Sequence, residues 1–243
     1  MPIIKLNAID STNTFLKEMI NSQNVENFTV VTTKHQTKGK GQMGAQWTSE
    51  PSKNLMFSVF VDVKKIELEY PFYISMVTAL AVRQSLHSFL IPQLFIKWPN
   101  DILSQNKKIC GILIENVMKQ SKVYASIIGV GLNVNQMDFK NLPNASSLKQ
   151  ITGRLFDTDA LLDVIISNLK LYVEKLQNGR FLEVKEAYES FLFRKNKPST
   201  FKDAKGNIFS GYIKSVQESG DLEVLLEDNV TKAFALKDIT LMY

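Results

Sequence analysis

Two apolar runs constrain this chain most: Lys108–Val117 and Val123–Val134, both rich in β-branched residues and both interrupted by glycine. Strand interiors rarely carry glycine unless a backbone or ligand comes close. Gly111 in the first run, with Gly129 and Gly131 in the second, therefore marks a narrow place. If the runs are neighbouring strands with their glycines on one face, they leave a slot for a flat or small ligand. Relief at a sheet bend or bulge is the plainer alternative. Cys110 lies in the first run with no partner histidine in evidence, and reads as a buried structural thiol.

The rest of the pattern surrounds these strands with helices. Asp10-Ser11-Thr12-Asn13 precedes apolar positions at helical spacing, with Ser11 or Thr12 as N-cap. Phe28–Thr33, Asn54–Val63 and Leu94–Trp98 read as strands, and a hairpin around Ser104–Asn106 leads into the first glycine-bearing run. Pro71–Leu90 reads as a long helix with proline in its first turn. Two more helices are expected near Asp157–Gln177 and Arg180–Phe193, separated by Gly179. From Lys197 the pattern changes to short β runs between turn signals at Asp203–Asn207, Glu218–Asp221 and Glu227–Asn229. The expectation is an α+β chain with a main domain over residues 1–196 and a small all-β domain over 197–243.

Composition removes several classes of function. One cysteine and two histidines leave no disulfide and no cysteine or histidine metal cluster. No basic segment followed by an apolar run opens the chain, and no apolar stretch is long enough to span a bilayer. A cytoplasmic protein without a membrane partner is expected. The net charge of +5 permits an anionic ligand or an acidic partner, although a solvated basic surface is the plainer account of it. No recognition-helix pattern or aromatic platform points to nucleic acid.

Two polar segments add candidate chemistry. Gly39-Lys40-Gly41-Gln42-Met43-Gly44 has glycines at dinucleotide-motif spacing, but the polar stretch after it leads into a strand, not a helix. A loop whose N–H groups wrap a phosphate and an ordinary hairpin turn both fit it. Lys97-Trp98-Pro99-Asn100-Asp101 ends a strand at Pro99, which leaves Asn100 and Asp101 either lining a pocket or forming a solvated turn.

Taken in order, five segments resemble the biotin–protein ligase family. They are Asp10–Asn13, Gln36–Gly44 with Trp47, Lys97–Asp101, Lys108–Glu115 and Gly129–Asn133. One such match is open to chance; five in order are not. The resemblance implies a mixed sheet flanked by helices, of the class II synthetase-like kind, followed by a small SH3-like β-barrel. It implies ATP and Mg²⁺ as cofactors, biotin as substrate and a biotin carboxyl carrier protein as acceptor. Ser11, Thr12, Asn13 and Gln36 would recognise biotin, and Gly111, Gly129 and Gly131 would narrow its slot. Lys40, Gly41 and Gln42 would close over biotin and phosphate. Trp47, Lys97, Asn100 and Asn133 would meet the nucleotide. Lys108, Lys40 and Asp101 would be catalytic: Lys108 on the carboxylate and α-phosphate, Asp101 orienting or deprotonating the incoming amine.

The sequence departs from that family in two respects. Lys40 and Gln42 stand where its glycine loop usually has two arginines; lysine keeps the charge without the bidentate fork, and glutamine keeps neither. Only nine residues precede Asp10, so the short form without a DNA-binding domain is expected. A lipoate–protein ligase or octanoyl transferase shares the acyl-to-lysine logic, and a basic nucleic-acid-binding module is the rival of another class. A homodimer formed through the apolar strands is left open.

Overall fold

In the computed structural model, which describes residues 1–66, 68–120, 122–139 and 142–243, the run Leu55–Asp62 is a strand covered on both faces. Period-two alternation sends Phe57, Val59 and Val61 to the larger apolar cluster and Phe60 to a smaller one on the opposite face. This strand is β3 of a chain that begins β1 (Ile3–Leu6), α1 (Thr12–Ser22) and β2 (Val30–Thr33). A single 3₁₀ turn, Gln42–Gly44, lies between β2 and β3. After β3 come α2 (Phe72–Ser88), β4 (Leu94–Lys97), β5 (Asp101–Ser104), β6 (Lys107–Lys119) and β7 (Lys122–Leu132). Helices α3 (Leu148–Thr152), α4 (Thr158–Gln177) and α5 (Phe181–Ser190) follow. The tail holds β8 (Pro198–Asp203), β9 (Ile208–Val216), β10 (Leu222–Leu226), β11 (Thr231–Phe234) and β12 (Ile239–Met242). Among the described residues no helix is long and apolar enough to cross a membrane.

Seven strands form a mixed sheet in the order β1-β2-β3-β7-β6-β5-β4, with β1 parallel to β2 and the other neighbours antiparallel. Helices α2, α4 and α5 contribute to the larger cluster, and α2 is apolar nearly all round because it is enclosed there. Its buried Thr78 and Ser85 hydroxyls donate to the carbonyls four residues back, each at 2.7 Å, so neither is left without a partner. On the other face α1, N-capped by Ser11, places Leu16 against Val31, Phe60, Ala125 and Ile127. That small cluster covers only part of its face. The part beyond it, floored by the glycines of β6 and β7, is where the candidate site lies.

The second sheet, β11-β10-β9-β8-β12, is antiparallel throughout. Its apolar residues Phe201, Val216, Val224 and Phe234 belong to the same continuous cluster as α2 and α4. Polar contacts fasten it as well: Trp98 Nε1 donates to the Gly220 carbonyl at 2.8 Å and Tyr73 Oη to Glu218 at 2.8 Å. The buried Glu189 carboxylate accepts from Lys185 and Lys195 and from the Val216 N–H, at 2.7, 2.9 and 3.1 Å.

The expected elements are present, with shifts of a few residues at their ends. Two elements were not foreseen: β1, whose residues Pro2–Leu6 show no alternation strong enough to mark a strand, and the five-residue helix α3. The second glycine run ends as a strand at Leu132, which leaves Asn133 and Val134 in the irregular segment that follows.

Burial alone would raise the pKa of Glu189, but the hydrogen bonds from Lys185, Lys195 and Val216 outweigh it and hold the carboxyl below its ordinary value of 4.5. A depressed carboxyl stabilises the fold above its unfolded pKa, and that contribution is lost as pH falls through the folded pKa. Glu189→Gln is therefore expected to cost roughly 2 kcal/mol at pH 7 in urea unfolding. The gap between variant and parent should close at acid pH; a constant gap would show that the charge is not responsible.

Candidate active site

Gly111 of β6 pairs directly with Gly131 of β7, so both glycines open onto the same space. Their slot is already in use. A Cβ built on Gly131 would come within 2.4 Å of Trp47 Cε2, and one on Gly111 within 3.1 Å of Trp47 Cζ3. The Trp47 indole therefore lies on the glycine floor, and its buried Nε1–H has no partner among the described residues. Two residues along β7, a Cβ on Gly129 would come within 2.4 Å of Asn13 Oδ1. Backbone flatness thus admits two particular side chains, one from the loop before β3 and one from α1.

The start of α1 carries a buried polar network. Thr12 N and Oγ1 donate to Gln36 Oε1 at 2.8 and 3.1 Å. The Ser58 hydroxyl lies 2.7 Å from Thr12 Oγ1 and 2.5 Å from Asn13 Oδ1, so one proton is shared between two acceptors. Asn13 Nδ2 donates to Glu115 Oε2 at 2.9 Å, and Lys17 stands 3.5 Å from the other oxygen of Glu115. Ser58 and Glu115 were assigned no role from sequence. The available signal for Ser58 was a lone hydroxyl in the otherwise apolar run Leu55–Val61.

Opposite this network lies the charged end of the site. The turn Trp98-Pro99-Asn100, with a cis Trp98–Pro99 bond, joins β4 to β5. Asn100 is clasped to β6 in both directions: Ile112 N donates to its carbonyl at 2.9 Å and its Nδ2 to Ile112 O at 2.8 Å. That clasp sets Asp101, whose carboxylate is 2.6 Å from Lys108 Nζ and 3.6 Å from Lys97 Nζ. Burial lowers the pKa of Lys97, and the Lys108 charge adds to this against the pull of Asp101.

A cavity of about 230 Å³ brings these parts together. The expected residues Ser11, Thr12, Asn13, Gln36, Lys40, Gly41, Gln42, Trp47, Asn100, Asp101, Lys108, Gly111, Gly129 and Gly131 line it, together with Ala45, Gln46, Phe57, Ile112, Leu113 and Val130, to which the sequence assigned no role. A neighbouring cavity of about 330 Å³ shares Gln46, Trp47 and Lys108 with the first and adds Asn133, Phe139 and Tyr243. Asn133 thus belongs to the second space, its Nδ2 bound to Ser146 O at 3.1 Å. Lys97 lines neither cavity and stands 3.6 Å from Asp101, which lines the first. The glycine loop closes on itself as a small hairpin, Gly41 N to Ala45 O at 2.7 Å and Trp47 N to Gly39 O at 3.0 Å, so part of its N–H supply is already bonded. It still presents Lys40, Gly41 and Gln42 to the first cavity.

Residues 6–133, more than half of the chain, match the Biotin/lipoate A/B protein ligase family. The chain belongs to that family. The "Bifunctional ligase/repressor BirA" of Bacillus spizizenii is 28% identical over 240 residues, which is 96% of this chain and 72% of that protein. The "Biotin--[acetyl-CoA-carboxylase] ligase" of Mycobacterium tuberculosis is 29% identical over 153 residues, 62% of this chain and 56% of that one. Among solved structures, the biotin protein ligase of Aquifex aeolicus in complex with biotin and ATP matches with a TM-score of 0.82 at 26% identity, covering 99% of this chain and 98% of that one. The family match stops at the end of β7, so it includes the glycine floor and the lysine–aspartate cluster and leaves out the C-terminal sheet.

The glycine floor has a direct test. Gly131→Ala should expel the Trp47 indole and cost roughly 1–3 kcal/mol through overpacking. In a ¹⁵N spectrum of the ligand-free protein, the indole N–H peak of Trp47 is expected to move while that of Trp98 stays. An unmoved Trp47 peak would contradict the packing described.

Proposed function

We infer that this protein is an ATP-dependent biotin–protein ligase, which activates biotin as biotinyl-5′-AMP and passes the acyl group to a lysine of a biotin carboxyl carrier domain. The observation that carries this reading is the position of Lys108, whose side chain borders both cavities while its ammonium is held by Asp101. One cavity ends in a network of hydroxyls and carboxamides. Such a network offers donors and acceptors to a ureido ring and leaves its own groups unpaired with an analogue that lacks one. The other has ring walls from Trp47, Phe139 and Tyr243, which suit a flat base. Between them a cation stands where a carboxylate and an α-phosphate would meet. The relatives named above as biotin ligases, and the complex with biotin and ATP, support the same substrates.

The chemistry follows from this arrangement. The biotin carboxylate and the triphosphate repel one another, and Lys108 with Lys40 offsets that repulsion. A carboxylate oxygen attacks the α-phosphorus and pyrophosphate leaves. Alignment of the two reactants would contribute on the order of 7–11 kcal/mol. A neutral lysine amine of the carrier then attacks the acyl carbon, AMP leaves with the electron pair of the broken C–O bond, and the proton lost from the amine passes to solvent. Asp101 already bridges two ammonium groups, so its geometry favours orientation: it aims Lys108 and receives the incoming amine in the same polar corner. Among the described residues no three His, Cys, Asp or Glu side chains converge on a metal position. The Mg²⁺ expected with ATP would be held mainly by the phosphates.

Intact mass of a biotin carboxyl carrier domain, incubated with the protein, ATP, Mg²⁺ and either biotin or lipoate, tests the reading. A biotin-sized gain on one lysine, dependent on ATP, is expected; a gain with lipoate alone would overturn it. Lys108→Ala should lower the rate of adenylate formation on the order of 100-fold or more.

Gln42 tests the loop. We propose that it holds the adenylate through neutral hydrogen bonds, since its side chain borders the first cavity. Gln42→Arg should slow escape of biotinyl-adenylate by roughly tenfold, because charge-assisted bonds to phosphate are about twice as strong as neutral ones. Unchanged release kinetics would refute this role for Gln42.

A further inference from the structure

Tyr243 lies outside the segment that matches the family, yet it borders the second cavity together with Trp47, Lys108 and Asn133. It follows β12 directly, so this part of the wall comes from the C-terminal sheet. Two contacts fix its ring. Phe193 meets it edge-on, with centroids 5.3 Å apart and planes at 68°, and the Lys97 ammonium sits 5.0 Å from its centroid. Lys97 is in turn 3.6 Å from the Asp101 carboxylate that holds Lys108. A chain of contacts therefore runs from Tyr243 through Lys97 and Asp101 to Lys108. Burial, with the negative charge of Asp101 second, pushes the phenol pKa up to about 12, so the ring stays neutral over the working range.

We propose that Tyr243 is a positioning residue: its ring closes the nucleotide half of the site and steadies Lys97 against Asp101. The proposal rests on the assignment of the second cavity to the nucleotide. Lys97 needs such a partner because its ammonium is mostly removed from water and shares one carboxylate with Lys108. An aromatic face supplies attraction without adding another acid, and the edge-on Phe193 keeps that face turned towards the ammonium. The biotin cavity does not include Tyr243, so the larger effect should fall on the nucleotide.

The test compares the parent protein with Tyr243→Ala and Tyr243→Phe. Biotin-dependent exchange of labelled pyrophosphate into ATP gives the KM for ATP, and calorimetry without ATP gives the Kd for biotin. Tyr243→Ala is expected to raise the KM for ATP on the order of tenfold, within the range of a desolvated cation–π contact plus a lost wall, with biotin Kd changed less than about twofold. Tyr243→Phe keeps the ring and should restore the KM to within about threefold of the parent. An unchanged KM in Tyr243→Ala, equal rises in KM and Kd, or a Phe variant as impaired as the Ala variant would each overturn the proposal. If the parent exchanges pyrophosphate with lipoate and not with biotin, the biotin reading fails, while the ATP readout for Tyr243 still decides this proposal. Exchange with neither acid would overturn both.

Discussion

Between Gly131 and Trp47 there is room for a hydrogen atom and none for a methyl group. A Cβ there would stand 2.4 Å from the indole, and the same clearance separates Gly129 from Asn13. Both contacts lie on the face of β7 that α1 covers only in part. Where β7 carries Ala125 and Ile127, the helix packs on it; where it carries glycine, the sheet stays bare enough for a side chain and a ligand to lie flat. The boundary between apolar core and binding site is therefore drawn by side-chain size within one strand.

That flat region would be costly if its polar neighbours were unpaired. Thr12, Asn13, Gln36, Ser58 and Glu115 bond to one another, so the network is assembled before a ligand arrives. Preorganisation of this kind reduces what binding has to order. The opposite end of the site uses charge in place of neutral bonds. Two ammonium groups share the Asp101 carboxylate, and the aspartate limits the repulsion that would otherwise drive Lys97 and Lys108 apart. A carboxylate and a phosphate entering between them would find a positive corner whose geometry already exists.

The C-terminal sheet is bound to this corner. The Trp98 indole, one residue from Lys97, donates to Gly220, and the Glu189 carboxylate joins α5 to β9. The turn that presents Asp101 thus has one side against β6 and the other against the second sheet.

Much of this was legible in the chain itself. Glycine in apolar runs, proline at a strand end and a serine before a helical period act through local sterics and capping, which depend on neighbouring residues alone. They marked the glycine floor, the Lys97–Asp101 turn, the first helix and the change of pattern near Pro198. The short strand β1 and the helix α3 escaped because four or five residues carry too little periodicity and are held by their partners. Ser58, Glu115 and Tyr243 escaped for a related reason. Each acts across 45 or more residues of sequence, and no local pattern says which side chain a sheet will place opposite another. The sequence by itself determined which segments could be flat, charged or capped; only tertiary packing decided that Trp47 lies on the glycines, that Ser58 reaches Asn13 and that Tyr243 faces Lys97, because those contacts exist only once distant strands share a sheet.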